Sequence, residues 1–238
     1  MKLEGVKQNI RKSDLDRVVR ELSEEALEKG IGTITKAPRE YLLKRDVTIE
    51  ALESFSLLPF ENSLYDYRNK LRFVTGGKRG AQPDYSIWED PDKIERADEK
   101  ETERWRKSRF HLHNHRLRFS GAHNAVSRND FRFGKTMRTE INFILTPDGI
   151  IGYKPDPFRR YYAHGDYVSS DVDAMVENAY RFQNPNRTIR QQLQRNISSF
   201  FVPFRGDKES QKKLGLICAY INDPSIEWGS IRQQIEAG

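Results

Sequence analysis

Three imidazoles at alternate positions, His111, His113 and His115, stand in the run Arg109-Phe-His-Leu-His-Asn-His115, with His123 eight residues further on. On an extended strand successive side chains point to opposite faces, so the three share one face. Neutral imidazole is a common metal ligand, and neighbours at i and i+2 can hold one ion between them. A metal site also needs a third or fourth donor and groups behind the ligands that orient them. Glu140 and His164 are donor types elsewhere in the chain, but the spacing ties neither to the triplet. His111-Leu-His113 is similar to the histidine–hydrophobic–histidine element of replication nucleases over those three residues, too few to mark a family. The competing reading is that the histidines extend a basic, hydrogen-bonding surface whose arginines would repel a cation. The expectation is therefore no metal at His111, His113 and His115, and no cofactor.

Other catalytic patterns are incomplete. Pro147-Asp148 followed by Tyr153-Lys154 has the proline, acid and lysine of a nuclease cradle. Gly152 stands where the second acid should be, so the two-carboxylate metal site is missing. Gly76-Gly-Lys-Arg-Gly80 lacks the spacing and the terminal Lys-Ser/Thr of a phosphate loop, and no Gly-x-Ser-x-Gly is present. No catalytic residue is assigned, and the reading leans away from an enzyme.

Charge is distributed in blocks. Glu89 to Glu103 carries eight acids against Lys93, Arg96 and Lys100, whereas Arg104 to Arg138 carries ten Lys and Arg against Asp130. Four of the five histidines lie in the basic block. Such a reversal suits contact between subunits or a polyanion site. Arg132 and Arg138 alternate along an expected strand, and Phe158-Arg159-Arg160-Tyr161-Tyr162 interleaves cations with rings as single-strand binders do. The expected contacts to nucleic acid or another polyanion are Arg116, Arg118, Arg132, Arg138, Arg159, Arg160, Tyr161 and Tyr162. Tyr and Arg are also enriched in protein interfaces.

The elements that must position these groups come from hydrophobic period. Leu15, Val18, Val19, Leu22 and Ala26 trace a helix after Ser13, with Gly30 at its end. Ala37-Pro38 predicts the start of a shorter helix, and Thr48 caps a third through Ile49, Leu52 and Phe55. Residues 60–88 read as irregular to extended, with Leu71 to Val74 a short strand. Phe110 to Phe119 and an alternating run over 131–145 predict strands, and Thr146-Pro-Asp-Gly149 turns the chain into Ile150 to Tyr153. Four apolar stripes then predict helices around Val172 to Phe182, Ile189 to Phe200, Leu214 to Ile221 and Trp228 to Ile235. The fold class is α+β, a central antiparallel β-meander over about 110–155 with helices on both sides. The segments are 1–59 helical, 60–168 sheet and basic block, and 169–238 helical, forming one compact unit.

The 238 residues are 36% hydrophobic, 32% charged and 11% aromatic, with a net charge of +6. That apolar share is low for a self-sufficient domain, so other chains are expected to cover part of the surface. The single cysteine, Cys218, lies in an apolar run and reads as a small buried hydrophobe. No signal, transit or membrane-spanning segment is evident, which predicts a cytoplasmic or virion-associated protein. Taken together these features predict a structural subunit of a virion, phage-tail or nucleoprotein particle, with other copies or subunits as partners and no membrane. A dedicated DNA- or RNA-binding protein is the alternative, and a histidine-cluster metal enzyme the third.

Overall fold

The computed structural model describes residues 8–36, 39–75, 107–115, 139–155 and 197–237. An eight-stranded mixed sheet runs through them in the order β1-β2-β4-β3-β5-β6-β7-β8. These strands are β1 (Gln8–Ser13), β2 (Glu40–Leu43), β3 (Asn62–Tyr67), β4 (Lys70–Thr75), β5 (Phe110–Asn114), β6 (Ile141–Thr146), β7 (Gly149–Pro155) and β8 (Ile197–Pro203). The helices are α1 (Leu15–Lys29), α2 (Ile31–Lys36), α3 (Ile49–Ser56), α4 (Lys208–Asn222) and α5 (Trp228–Glu236). The protein is α+β, with helices towards both ends of the chain.

The helices follow their stripes. Leu15, Val18, Val19 and Leu22 are the buried face of α1. Thr48 caps α3 by accepting a hydrogen bond from the Ala51 N–H at 3.1 Å, the satisfaction of an orphan donor that its sequence position predicts. In α4 the buried set includes Leu214, Ile217, Cys218 and Ile221, and in α5 it is Trp228, Ile231 and Ile235. One face of the sheet receives α3, α4 and α5. Phe73 packs edge-on to Phe55 at 5.1 Å, Phe110 meets Tyr220 at 5.7 Å, and Phe143 meets Trp228 at 5.7 Å between ring centroids. Asn222 clasps the chain before α3: its amide donates to the Val47 carbonyl at 2.8 Å and its carbonyl accepts from the Val47 N–H at 2.9 Å.

Several expectations change. The β6–β7 hairpin forms as expected, closed by Thr146, whose hydroxyl donates to the Gly149 carbonyl and accepts from its N–H. But β5 pairs with β6 in parallel, so the meander is mixed. Only the two-residue turn at Pro147-Asp148 forces an antiparallel return; the long connection from β5 to β6 leaves room for a parallel pairing. The β4 strand appears where expected, and its partner β3 arises from residues read as irregular. The turn between them places Arg68 and Asn69 at φ 51° and 58°, the left-handed pair that a tight hairpin requires. Glu40–Leu43 is a strand, not the helix expected from Pro38, because Tyr41 and Leu42 pair with Phe73 and Arg72. Residues 197–200, assigned to a helical stripe, belong to β8: pairing with β7 overrides a period shared by only a few positions. The expected strand over 131–145 is seen from Ile141, and 131–138 lie outside the described residues, as do 116–119, Ala37-Pro38 and the stripe at 172–182.

Candidate metal centre

β5 is an interior strand, flanked by β3 and β6, and its two faces differ. Phe110 and Leu112 belong to the core under the helices, so the alternation turns His111, His113 and His115 to the opposite face. All three are buried, with 0%, 1% and 9% of their surface exposed. This corrects the expectation of a basic surface: the imidazoles lie inside the protein. The rings form a ladder, His111 to His113 at 5.2 Å and His113 to His115 at 5.1 Å between centroids.

The ladder cannot act as one tridentate set. At about 3.3 Å per residue, the first and last Cα atoms stand roughly 13 Å apart, while an ion holds its nitrogens at about 2.0–2.1 Å. One ion can therefore take two adjacent rings. Nε2 of His111 lies 3.1 Å from Oγ of Ser63 on β3, and His113 and His115 are the adjacent pair nearest the carboxyl end of β5.

Glu61 stands just ahead of the neighbouring strand. β3 and β5 run antiparallel with Ser63 opposite His113 and Tyr65 opposite His111. Glu61 precedes β3 by one residue and His115 follows β5 by one, beyond the last paired residues Ser63 and His113. Asn114, fully buried between the two histidines, ties down the segment that carries Glu61. Its Oδ1 accepts from the Asn62 N–H at 2.8 Å, and its Nδ2 donates to the carbonyls of Leu58 and Phe60 at 3.1 Å each. The group sits at the carboxyl end of β5, beside the parallel end of β6. Ligand sites in parallel sheets open at such carboxyl ends.

The opposite end of β5 is committed to structure. Asp66 accepts from Arg45 Nη2 at 2.9 Å and from Arg109 Nε at 3.1 Å. The remaining Arg109 donors go to the carbonyls of Tyr220, Asp223 and Ile226, and Arg45 Nη1 reaches the Ile221 carbonyl. Two guanidiniums thus neutralise the carbonyl end of α4 and the turn after it. Glu140, a donor type raised by the sequence, accepts from the Trp228 N–H at 2.8 Å and the Tyr220 hydroxyl at 3.2 Å. Burial and this carboxylate push the Tyr220 phenol well above its ordinary range. Glu140 therefore serves the helices and not the histidines. A cleft of about 400 Å³ opens here, lined among others by Tyr67, Arg68, Lys107 and Ser108, away from the ladder.

No protein-family model, no curated protein and no solved structure matches the chain. Its residues must therefore speak for themselves. Arg116, Arg118, Arg132, Arg138, Arg159, Arg160, Tyr161 and Tyr162 all lie outside the described residues, as does His164. Of the basic block, Lys107 and Arg109 are described; Lys107 is exposed, and Arg109 is turned inward to Asp66. Among the described residues no group of three His, Cys, Asp or Glu side chains is close enough to hold a metal ion. The described residues thus supply an imidazole pair and no third donor beside it. His123 and Asp130, donor types that follow in sequence, lie outside them. Sequence reasoning missed Glu61, Ser63 and Asn114. The signal available was an acid two residues past Pro59 and an asparagine where an amphipathic strand would place an apolar residue.

Proposed function

We propose that the chain is a metal-dependent hydrolase whose single divalent cation, zinc by its imidazole preference, is held by His113 and His115. The observation that carries this reading is the burial of both imidazoles, their ring centroids 5.1 Å apart, at the carboxyl end of an interior strand. A zinc held there would supply a bound water whose proton affinity is lowered towards neutrality. Glu61, half-buried just ahead of the Asn62 that Asn114 holds, would be the carboxylate to take the proton from such a water. The test is metal analysis of tag-free protein after dialysis, with hydrolysis assayed on peptide, ester and phosphodiester panels. One zinc per chain is expected, lost in His113→Ala and in His115→Ala, and Glu61→Gln should keep the metal while abolishing hydrolysis. Wild-type protein without metal overturns the reading.

The charge blocks support a second reading, a subunit of a virion, phage-tail or nucleoprotein assembly. The acidic 89–103 segment of one copy would meet the basic 104–138 segment of another, or that basic segment and Arg159 to Tyr162 would meet DNA or RNA. Arg109 contributes nothing to such a surface, since its donors are spent on Asp66 and the α4 terminus. Nucleic-acid affinity should then fall with a log–log salt slope of about −0.7 to −0.9 per phosphate contacted. Assembly without oligonucleotide binding at low salt would assign the basic block to a protein interface. Among the described residues no helix is long and apolar enough to cross a membrane.

A further inference from the structure

We propose that the cleft at the amino end of β5 binds a small phosphomonoester, held by Arg68 with help from Asn69 and Lys107. At about 400 Å³ the cleft has the size of a small-ligand site. It lies at the far end of β5 from the histidines, so it stands independently of the metal-centre reading. Its unusual feature comes from the β3–β4 hairpin. Tyr67 pairs with Lys70, which makes Arg68 and Asn69 a two-residue turn with φ 51° and 58°. Glycine and asparagine take such angles readily, whereas arginine seldom does. An arginine at this costly position argues that its guanidinium is used. The guanidinium carbon of Arg68 lies 5.1 Å from the centroid of the Tyr67 ring, and that ring is itself buried. A cation resting on a fixed ring is oriented before any ligand arrives.

Charge decides the class of ligand. Both carboxylates of the lining are answered from inside the protein. Asp66 accepts from Arg45 and Arg109. Glu140 sits beside Arg109, its N–H donating to the Arg109 carbonyl at 2.9 Å, and its carboxylate accepts from Trp228 and Tyr220. Two acids against two guanidiniums leave this inner set neutral. Arg68 and Lys107 are exposed on the same cleft and make it positive overall. Among the described residues no carboxylate pairs with Arg68. A phosphomonoester brings a charge of about −1.5 to −2 at neutral pH and three acceptor oxygens. Those oxygens suit the planar fork of an arginine and the two amide donors of Asn69. A carboxylate offers a single charge and two oxygens, less than this lining can engage. Arg109 joins the lining to the carbonyls of Tyr220, Asp223 and Ile226, so a filled cleft should also steady the end of α4.

The experiment titrates glycerol 3-phosphate into the full-length protein in phosphate-free buffer, read by calorimetry and by melting temperature. Inorganic phosphate, sulfate and acetate are the comparison ions. The ester should bind saturably, one per chain, and more tightly than any of the three. At ten times its Kd it should raise the melting temperature by about 3–6 °C. Arg68→Gly removes the guanidinium while suiting the φ of 51°, and should weaken binding about 10–100-fold. Arg68→Lys keeps the charge without the fork and should fall between. Asn69→Gly preserves the turn and should weaken binding through the lost amide. Arg205→Ala, at an exposed arginine outside the lining, should change nothing. No saturable binding below about 10 mM would overturn the proposal, as would an Arg68→Gly variant that binds like wild type. Equal affinity for sulfate and acetate would mean an adventitious ion only. Inorganic phosphate binding as tightly as the ester would make free phosphate the ligand and overturn the ester assignment. If circular dichroism shows Arg68→Gly unfolded, Arg68→Lys and Asn69→Gly decide, and wild-type affinity in both would overturn the proposal.

Discussion

Substituting Asp66 with alanine probes what holds the C-terminal helices to the sheet. The carboxylate is 2% exposed, and the two guanidiniums it neutralises, Arg45 and Arg109, are 20% and 12% exposed. Removing one partner of a buried ion pair leaves an uncompensated charge and costs about 3–5 kcal/mol. Here two cations are left, but each keeps carbonyl partners at the end of α4, which places the loss near the lower bound, about 3 kcal/mol. For a chain of this size each kcal/mol moves the melting temperature by about 2–4 °C, so a fall of about 6–12 °C is expected. Urea titration and differential scanning calorimetry measure both quantities. Asp66→Asn, which retains an acceptor oxygen, should lose less. Because the cluster is buried, 1 M salt should leave most of the difference in place. A loss below about 1 kcal/mol, the range of an exposed pair, would refute the argument, as would a difference that salt erases.

Three further outcomes follow from local geometry. A Cβ at Gly152 would meet the Phe200 ring at 2.1 Å, while one at Gly149 would meet the backbone oxygen of Val202 at 2.3 Å. A side-chain ring can shift and a paired strand cannot, so in urea titration Gly152→Ala should lose about 1–3 kcal/mol and Gly149→Ala more; two neutral substitutions would disprove the β7–β8 register. Burial, with a smaller contribution from Glu50, raises the Cys218 thiol to about 12, so iodoacetamide at pH 8 should label unfolded but not native protein, and fast native labelling would contradict the packing of α4. The Arg39 guanidinium bonds both oxygens of Glu25, at 2.5 and 2.7 Å, and holds that carboxyl below its ordinary value. A lowered folded value gives stability that is full above the unfolded pKa of about 4.3 and lost as pH falls through the folded one. Glu25→Gln should therefore flatten the acid limb of the stability curve, and an unchanged limb would assign it to other carboxylates.

What could be read from the sequence follows from how local each signal is. α1, α3, α4 and α5 announce themselves because their apolar stripes recur within a few turns, and Pro147-Asp148 marks the β6–β7 hairpin within four residues. β3 was hidden because Ser63 and Asp66, buried in the sheet, break the apolar alternation that identifies a strand. Strand direction was hidden too: the parallel pairing of β5 with β6 depends on residues far apart in sequence. The imidazole triplet was visible, but its burial was not, since Arg109 beside it looks like a surface cation until Asp66 is placed across from it. Glu61 joins the site through Asn62 and Asn114, which lie 52 positions apart, beyond any window that periodicity can scan.

The Asn222 clasp on Val47 joins residues 175 positions apart, and this bears on when the protein can fold. The carbonyl that Arg45 caps lies 176 positions downstream of it. Closing contacts of such span demands loop-closure entropy before any packing offsets it, which slows the rate-limiting step. During synthesis at about 5–20 residues per second, Val47 waits roughly 9–35 s after its own emergence for Asn222 to be made. Until α4 is made, Phe110 and Phe143 of the sheet lack the Tyr220 ring that packs on them. The nascent chain is thus a client for holding chaperones, and slowing translation ahead of α4 should lengthen that dependence.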